Sequence, residues 1–264
     1  MAKSFAAQYG PTALITGAAN GIGRGFAERL AHRRVATLLI DIDEEALEKT
    51  AEELRLRHDS PVETLVADLS IRSELERVAH LGLQREIGLL VNNAGIGHNK
   101  PFLQIPLEDH LSALDVNIGS FLVLTHRLTP AMCERGRGGL IFTSSMSALV
   151  GGPGIAHYSA TKAYGRHLAE ALYGELHARG VDVLALMPGL TRTRQVSEGY
   201  TQAELDAQHP MEPEVVAESA LLALGRKRSV VPGLMNRLQA WAFVRLPRGP
   251  LLRAMGRKTG RLGT

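Results

Sequence analysis

The sequence predicts one α/β domain with a doubly wound, mostly parallel central sheet, helices on both faces and a basic C-terminal appendage. Three observations predict it. Short apolar runs alternate with longer helical segments from Thr12 to Val231, and that alternation calls for right-handed crossovers and a parallel sheet. Runs such as Ile87–Val91 and Val181–Met187 are almost wholly apolar, as strands covered on both faces must be. The chain has 264 residues, 45% hydrophobic and 22% charged, which suits one large globular core.

The elements follow in order. Thr12–Thr16 reads as a strand and Gly21–Arg34 as a helix. Val35–Ile40 is a second strand, and Asp43–Arg57 a helix capped by Asp43. Pro61–Ala67 is the third strand, and Ser70 stands where it can cap the next helix, with Ser73 and Glu74 in the first turn. Ile87–Val91 is the fourth strand. Leu107–Arg135 covers two helices, broken or bent near Asn117 to Gly119. Gly139–Thr143 and Val181–Met187 are the fifth and sixth strands, with the long helix Ala156–Arg179 between them. Pro213–Leu224 is helical and Ser229–Val231 a short edge strand. No repeat or low-complexity linker divides the chain. Residues 1–233 therefore form one domain, with 190–212 a polar lid that includes Arg192, Arg194, Glu198 and Tyr200, and 234–264 a partly helical tail.

Composition excludes several classes. The single cysteine, Cys133, allows no intrachain disulfide and suits a reducing cytoplasm. It lacks redox spacing and reads as a small apolar filler. Met1–Gly10 has no signal-peptide core, and no apolar run reaches the roughly 18 residues of a membrane span. A cytoplasmic protein, at most peripheral to a membrane, is expected. The net charge of +3 is uneven: from Arg226 onward there are ten Lys/Arg and no acid, while the rest holds twenty bases against twenty-seven acids. Nucleic-acid binding is therefore not expected. The ten histidines form no ligand-spaced cluster with carboxylates or Cys133, so no metal is expected.

The turn after the first strand reads Thr16-Gly17-Ala18-Ala19-Asn20-Gly21-Ile22-Gly23. Glycines let backbone approach phosphate, and the helix that follows aims free N–H groups and its positive end at it. Asp41 ends the second strand, 18 residues after Gly23. A carboxylate there accepts from both hydroxyls of an adenosine ribose and repels a 2′-phosphate. Asn20 and the residues 42–45 supply no cation, and Arg24 is the only nearby base, so NAD is favoured over NADP. Asp41 also reads as a plain helix-capping acid, a role Asp43 serves better.

Tyr158 and Lys162 stand four apart at the start of the long helix, on one face. A tyrosine titrates near 10, and a neighbouring ammonium favours its phenolate. Tyr158 then removes an alcohol proton, or returns one to a ketone. A Y-x-x-x-K pair alone is common. The set is not: Thr16-Gly17…Gly21-Ile22-Gly23, Asp68-Leu69, Asn92-Asn93-Ala94-Gly95, Val116-Asn117, Ser144-Ser145, Tyr158-Ser159-Ala160-Thr161-Lys162 and Pro188-Gly189 occur in order.

With these motifs the chain resembles the short-chain dehydrogenase/reductases from about Pro11 to Val231. The resemblance implies a Rossmann-type fold and hydride transfer between NAD(H), at its pro-S face, and an alcohol or carbonyl compound. It implies catalytic roles for Ser145, Tyr158, Lys162 and Asn117. Ser145, thirteen before Tyr158, would hydrogen-bond the substrate oxygen, with Ser144 the rival. Lys162 would also bind the nicotinamide ribose, and Asn117 would bend its helix so that its backbone holds a relay water. Asp68 and Leu69 would meet the adenine. Asn93, Ala94 and Gly95 would border the cofactor, with Asn92 tying neighbouring strands. Pro188, Gly189 and Thr193, or its rival Thr191, would face the nicotinamide carboxamide. The resemblance further implies a homodimer or homotetramer.

Ser147–His157 and the segment after Pro188 are the expected substrate contacts, with His157 and His98 bordering the cleft. In the tail, Leu234, Leu238, Trp241 and Arg245 form one helical stripe. Two readings compete. The preferred one buries that stripe over the cleft or a neighbouring subunit; the other lays it on an anionic membrane, which would favour a lipophilic substrate. Two rivals to the enzyme reading remain: a catalytically weak NAD(H)-binding scaffold and a peripheral-membrane protein acting through the tail.

Overall fold

The computed structural model describes residues 4–197 and 201–258. Glu198, Tyr200 and the tail beyond 258 lie outside the described residues. Seven strands form one sheet: β1 (Thr12–Thr16), β2 (Ala36–Asp41), β3 (Val62–Val66), β4 (Ile87–Asn92), β5 (Gly138–Thr143), β6 (Val181–Leu186) and β7 (Ser229–Val230). Their order is β3-β2-β1-β4-β5-β6-β7. Every pairing is parallel, so the sheet is more uniform than the mostly parallel one expected. The order reverses between β1 and β4, and open α/β sheets bind ligands beyond the carboxyl ends of strands at that switch.

The helices are α1 (Phe5–Tyr9), α2 (Gly21–His32), α3 (Glu44–Arg57), α4 (Arg72–Gln84), α5 (Leu107–Leu114), α6 (Ser120–Glu134), α7 (Ala156–Leu176), α8 (Arg194–Ser197), α9 (Gln202–Ala207), α10 (Pro213–Ala223), α11 (Leu234–Arg245) and α12 (Arg248–Lys258). Two cores flank the sheet. On one side Phe26, Leu30, Leu47, Leu54 and Val216 of α2, α3 and α10 pack on Ile15 and Leu39. On the other Val78, Phe121, Leu124, Leu128 and Ala169 of α4, α6 and α7 pack on Leu14, Leu90 and Phe142. Strands β4 and β5 are buried at every position, which is why they carry no polar/apolar alternation.

Local physics sets the element ends. Asp43 caps α3, its carboxylate accepting from the Ala46 N–H at 3.1 Å, as the sequence predicts. Ser70 does not cap α4. That helix begins at Arg72 behind Ile71, without a side-chain cap, because the Ser70 hydroxyl donates to Asp68 Oδ1 at 2.7 Å instead. Between α5 and α6 the chain is not broken: a π-helical turn, Asp115–Gly119, carries it through. Such an inserted turn loosens the i→i−4 ladder and is often found at functional sites.

Tail helix α11 packs back on the domain. Ala240 and Phe243 join Met146, Leu149, Met187 and Val231 in a third apolar cluster. The side chain of Asn236 fills the space over Gly189, where an added Cβ would lie 2.5 Å from Asn236 Oδ1. The stripe expected to pack does not do so within this chain: Leu234, Leu238 and Trp241 are exposed. Helix α11 is apolar on two opposite sides, and the smaller, less obvious side is the buried one. Among the described residues no helix is long and apolar enough to cross a membrane.

Candidate active site

A groove of about 560 Å³ opens along the carboxyl ends of the strands, within the range of small-molecule sites. Its floor is the turn from β1 into α2. Gly17 and Gly21 hold φ of +65° and +54°, a region that favours glycine. A Cβ on Gly17 would meet the Ala94 backbone at 2.9 Å, and one on Gly23 would lie 1.9 Å from the Gly17 oxygen. Gly23 itself does not line the groove; it lets α2 start tight against the turn. Asn20, Gly21 and Ile22 do line it.

Asparagine 93 anchors this turn. Its Nδ2 donates to the carbonyls of Thr16 (2.9 Å) and Gly17 (3.1 Å). The Thr16 hydroxyl accepts from the N–H groups of Asn93 and Ala94 at 2.9 and 3.0 Å. Asn92 is expected to tie neighbouring strands; between β4 and the β1 turn the side-chain ties come from Asn93 and Thr16. Asn92 is fully buried and ties β4 to α6 through Thr125 Oγ1 at 3.1 Å. Ala94 and Gly95 continue the groove wall.

At one end, Asp41 accepts from the N–H groups of Ala19 (2.9 Å), Ile42 (2.8 Å) and Asp43 (3.1 Å). Asp68 and Leu69 line the same end, and Asp68 is fixed by Ser70 and, through its own N–H, by Glu74 at 2.7 Å. Sequence reasoning found no cation here besides Arg24. The structure reverses both parts of that. Arg24 turns away to Glu53 at 2.6 Å, whereas Arg194, 151 residues along the chain, lines the groove and pairs with Asp43 at 2.9 Å. Long-range pairing of this kind leaves no local sequence signal.

At the other end, α7 carries Tyr158 and Lys162. Lys162 is only 5% exposed. Its ammonium donates to the Thr143 carbonyl at 3.0 Å and lies 5.6 Å from the Tyr158 ring centre. Burial pulls the ammonium down to about 8. Burial also pushes the Tyr158 phenol above its ordinary value, partly offset by a hydrogen bond with Ser145. In this site burial is the larger influence on the phenol and the Ser145 hydrogen bond the smaller, opposing one.

The two serines are placed differently. Ser144 is buried and its hydroxyl donates to the Lys162 carbonyl at 2.7 Å, bracing α7. Ser145 is the one that meets Tyr158. Asn117 does not line the groove. It sits behind it in the π turn, 1% exposed. Its Oδ1 accepts from the Ile96 N–H and its Nδ2 donates to the Ile96 carbonyl, both at 2.8 Å, and to Thr161 Oγ1 at 2.9 Å.

Pro188, Gly189, Thr191 and Thr193 close the groove's third side. Thr191 is buried and donates to the Gly189 carbonyl at 3.1 Å; Thr193 packs over Gly21. Arg192 is tied to Asp206 (2.8 Å) and Glu212 (3.0 Å). Beside Tyr158, a smaller pocket of about 10 Å³ is lined by His98, His110 and His157. His110 and His157 stack edge to face at 4.6 Å. Burial, and then His110, hold His157 below the ordinary imidazole value. Sequence reading placed His98 and His157 here and missed His110. No three His, Cys, Asp or Glu among the described residues are grouped to hold a metal.

Comparison with known proteins agrees with this geometry. The family model described as short chain dehydrogenase matches residues 11–204. The human inactive hydroxysteroid dehydrogenase-like protein 1 is 32% identical, over 83% of this chain and 67% of its own. A very-long-chain 3-oxoacyl-CoA reductase from Anas platyrhynchos is 29% identical, over 90% and 76%. Among solved structures, one of a 7β-hydroxysteroid dehydrogenase superposes with a TM-score of 0.90 at 26% identity, covering 96% of this chain and all of that one. A short-chain dehydrogenase from Sphingobium yanoikuyae was solved with NADPH (30% identity, TM-score 0.78, 89% and 93% covered). A 3-ketoacyl-(acyl-carrier-protein) reductase from Brucella melitensis was solved with NADH (25%, 0.76, 84% and 96%). The chain belongs to the short-chain dehydrogenase family of oxidoreductases.

Proposed function

We propose that this protein interconverts a secondary alcohol and a ketone with NAD(H), using Tyr158 as general acid/base. One observation carries the reading: the Tyr158 hydroxyl, bonded to Ser145, shares one groove with the glycine turn and the buried Lys162 ammonium. The residues fit a dinucleotide. The turn leaves no room for Cβ atoms at Gly17, Gly21 or Gly23, and the N-terminus of α2 opens onto the groove to receive a pyrophosphate. Asp41 would hold the adenosine ribose, Asp68 and Leu69 the adenine, Lys162 the nicotinamide ribose, and Pro188, Gly189, Thr191 and Thr193 the carboxamide end. When bound, the nicotinamide supplies the hydride acceptor or donor.

The chain's own groups do the rest. Ser145 and Tyr158 orient the substrate oxygen and stabilise the charge that develops on it. The Tyr158 oxygen takes or returns the proton. Lys162 sets the charge beside it, and Asn117, by bonding Ile96 and Thr161, positions the α7 face on which Tyr158 and Lys162 stand. NAD is the preferred cofactor because the Asp41 carboxylate opposes a 2′-phosphate.

An apolar substrate is supported by the apolar cluster of Met146, Leu149, Met187 and Phe243, which lies next in the chain to Ser145 and Pro188 of the groove. The polar segment 190–212, of which 198–200 lie outside the described residues, would serve as the lid. A homodimer or homotetramer is supported by exposed Leu107, Leu111, Leu114 and Leu122 on α5 and α6. The lone cysteine supports a cytoplasmic setting.

Tyr158→Phe tests the reading. It should lower kcat by roughly 10²–10⁴ with the Kd for NADH unchanged. The wild type should oxidise alcohols faster as pH rises from neutrality, because the raised phenol must first lose its proton; ketone reduction should fall over the same range. A second reading, an NAD(H)-binding scaffold, is favoured by one finding, the relative named as inactive. NADH binding without turnover on a graded panel of alcohols and ketones would establish it.

A further inference from the structure

Helix α11 turns one side to the protein and an equally apolar side to solvent. Asn236, Ala240 and Phe243 face Gly189 and the cluster around Met146. At about 100° per residue, Leu234, Leu238 and Trp241 fall on roughly the opposite side. There Leu234 is 67% exposed, Leu238 55% and Trp241 62%, with Met235 beside them at 67%. A contiguous outward patch of this kind marks an interaction site.

Charge selects the occupant. Arg237 and Arg245 border the patch, the Arg245 guanidinium lying 5.9 Å over the Trp241 ring. Arginines in the domain are commonly paired with carboxylates, as in Arg33–Glu218 at 2.6 Å and Arg85–Glu63 at 2.7 Å. Arg237 and Arg245 have no such partner among the described residues, and the chain holds no Asp or Glu from Arg226 to its end.

We propose that the outer face of α11 docks on an anionic lipid surface. Leu234, Leu238 and Trp241 would enter the acyl boundary, and the arginines would meet the headgroup phosphates. Apolar area and basic charge together give the two signals that stable peripheral binding needs. A second copy fits less well, because two facing α11 helices would oppose acid-free arginine rims. The other exposed apolar face, on α5 and α6, makes the contrast. Its leucines alternate with Glu108, Asp109 and Asp115, which suit a protein partner and repel anionic lipid. Since Asn236 of α11 packs over Gly189 at the groove's edge, docking would set that end of the groove near the bilayer.

This inference stands apart from the hydride-transfer reading, and its test needs no turnover. Trp241 is the only tryptophan in the chain, so its fluorescence reports this face. The full-length protein is titrated with phosphatidylcholine vesicles, with and without roughly one third phosphatidylserine. A blue shift and co-sedimentation are expected with the anionic vesicles, at least about tenfold tighter than with the zwitterionic ones and lost at high salt. Leu234→Ser/Leu238→Ser, with an unchanged thermal melt, should lose the shift. Arg237→Gln and Arg245→Gln should each weaken binding about fivefold, the equivalent of roughly 1 kcal/mol per charge. Three results would overturn the proposal: no shift with anionic vesicles at low salt, equal binding by the double-serine variant, or a lipid-free dimer that the double-serine variant dissociates.

Discussion

The floor of the groove and the C-terminal packing beside it are built in opposite ways. The floor is backbone. At Gly17 and Gly23 the chain passes so close to itself that a single added carbon would collide at 2.9 and 1.9 Å, and Asn93 and Thr16 lock the turn with five hydrogen bonds of 2.9 to 3.3 Å. The C-terminal packing is side chain. Ala240 and Phe243 rest on Met146, Leu149 and Met187, with the Arg248 guanidinium donating to the Leu149 carbonyl at 2.8 Å as a strap. A backbone surface admits almost no substitution and suits a ligand shared by a whole family. A side-chain surface can be remodelled one residue at a time, which is what a changing substrate demands.

Three changes probe that contrast, in falling order of effect. Gly23→Ala should abolish NADH binding, seen as loss of the fluorescence change on titration, because the turn and the start of α2 cannot both keep their places. Retained micromolar binding would mean that the floor yields more than its geometry allows. Phe243→Ala should leave the NADH Kd within about twofold while lowering stability by roughly 1–3 kcal/mol in urea melts, at the low end for a part-exposed Phe. It should raise KM for bulky ketones more than for small ones; an equal rise for both would separate the α11 packing from substrate fit. Arg194→Gln should act least. Its exposed pair with Asp43 is worth about 0–1 kcal/mol, so NAD affinity should shift less than about fivefold. Arg194 is also, among the described residues, the one cation lining the ribose end, so any existing NADP binding should weaken further than that of NAD. An unchanged NADP to NAD ratio would detach Arg194 from cofactor choice.

The same contrast explains what could be read in advance. The strands and the glycine turn were legible because burial on two faces and tight turns leave compositional marks: unbroken apolar runs such as Ile87–Val91, and glycines at fixed offsets. Tyr158, Lys162 and Ser145 were legible as a set. What failed was any feature decided by distant packing. Ser70 looked like a cap until Asp68 claimed its hydroxyl. Arg194 reaches Asp43 across 151 positions, and His110 joins His157 only because α5 leans against α7. In α11 the larger side chains suggested the buried stripe, but Ala240 is what lets the helix come close. The burial of Tyr158 was likewise not legible: spacing reveals the neighbouring ammonium but not the desolvation that raises the phenol.

The contact between Gly189 and Asn236 joins these two surfaces. Because the amide of Asn236 occupies the volume that any side chain at 189 would need, the two positions are not free to vary alone. A residue larger than glycine at 189 would have to be matched by a smaller one at 236, or the whole of α11 would be levered away from the floor. Tails cannot be swapped between relatives of this protein as interchangeable modules unless that single interlock is carried with them.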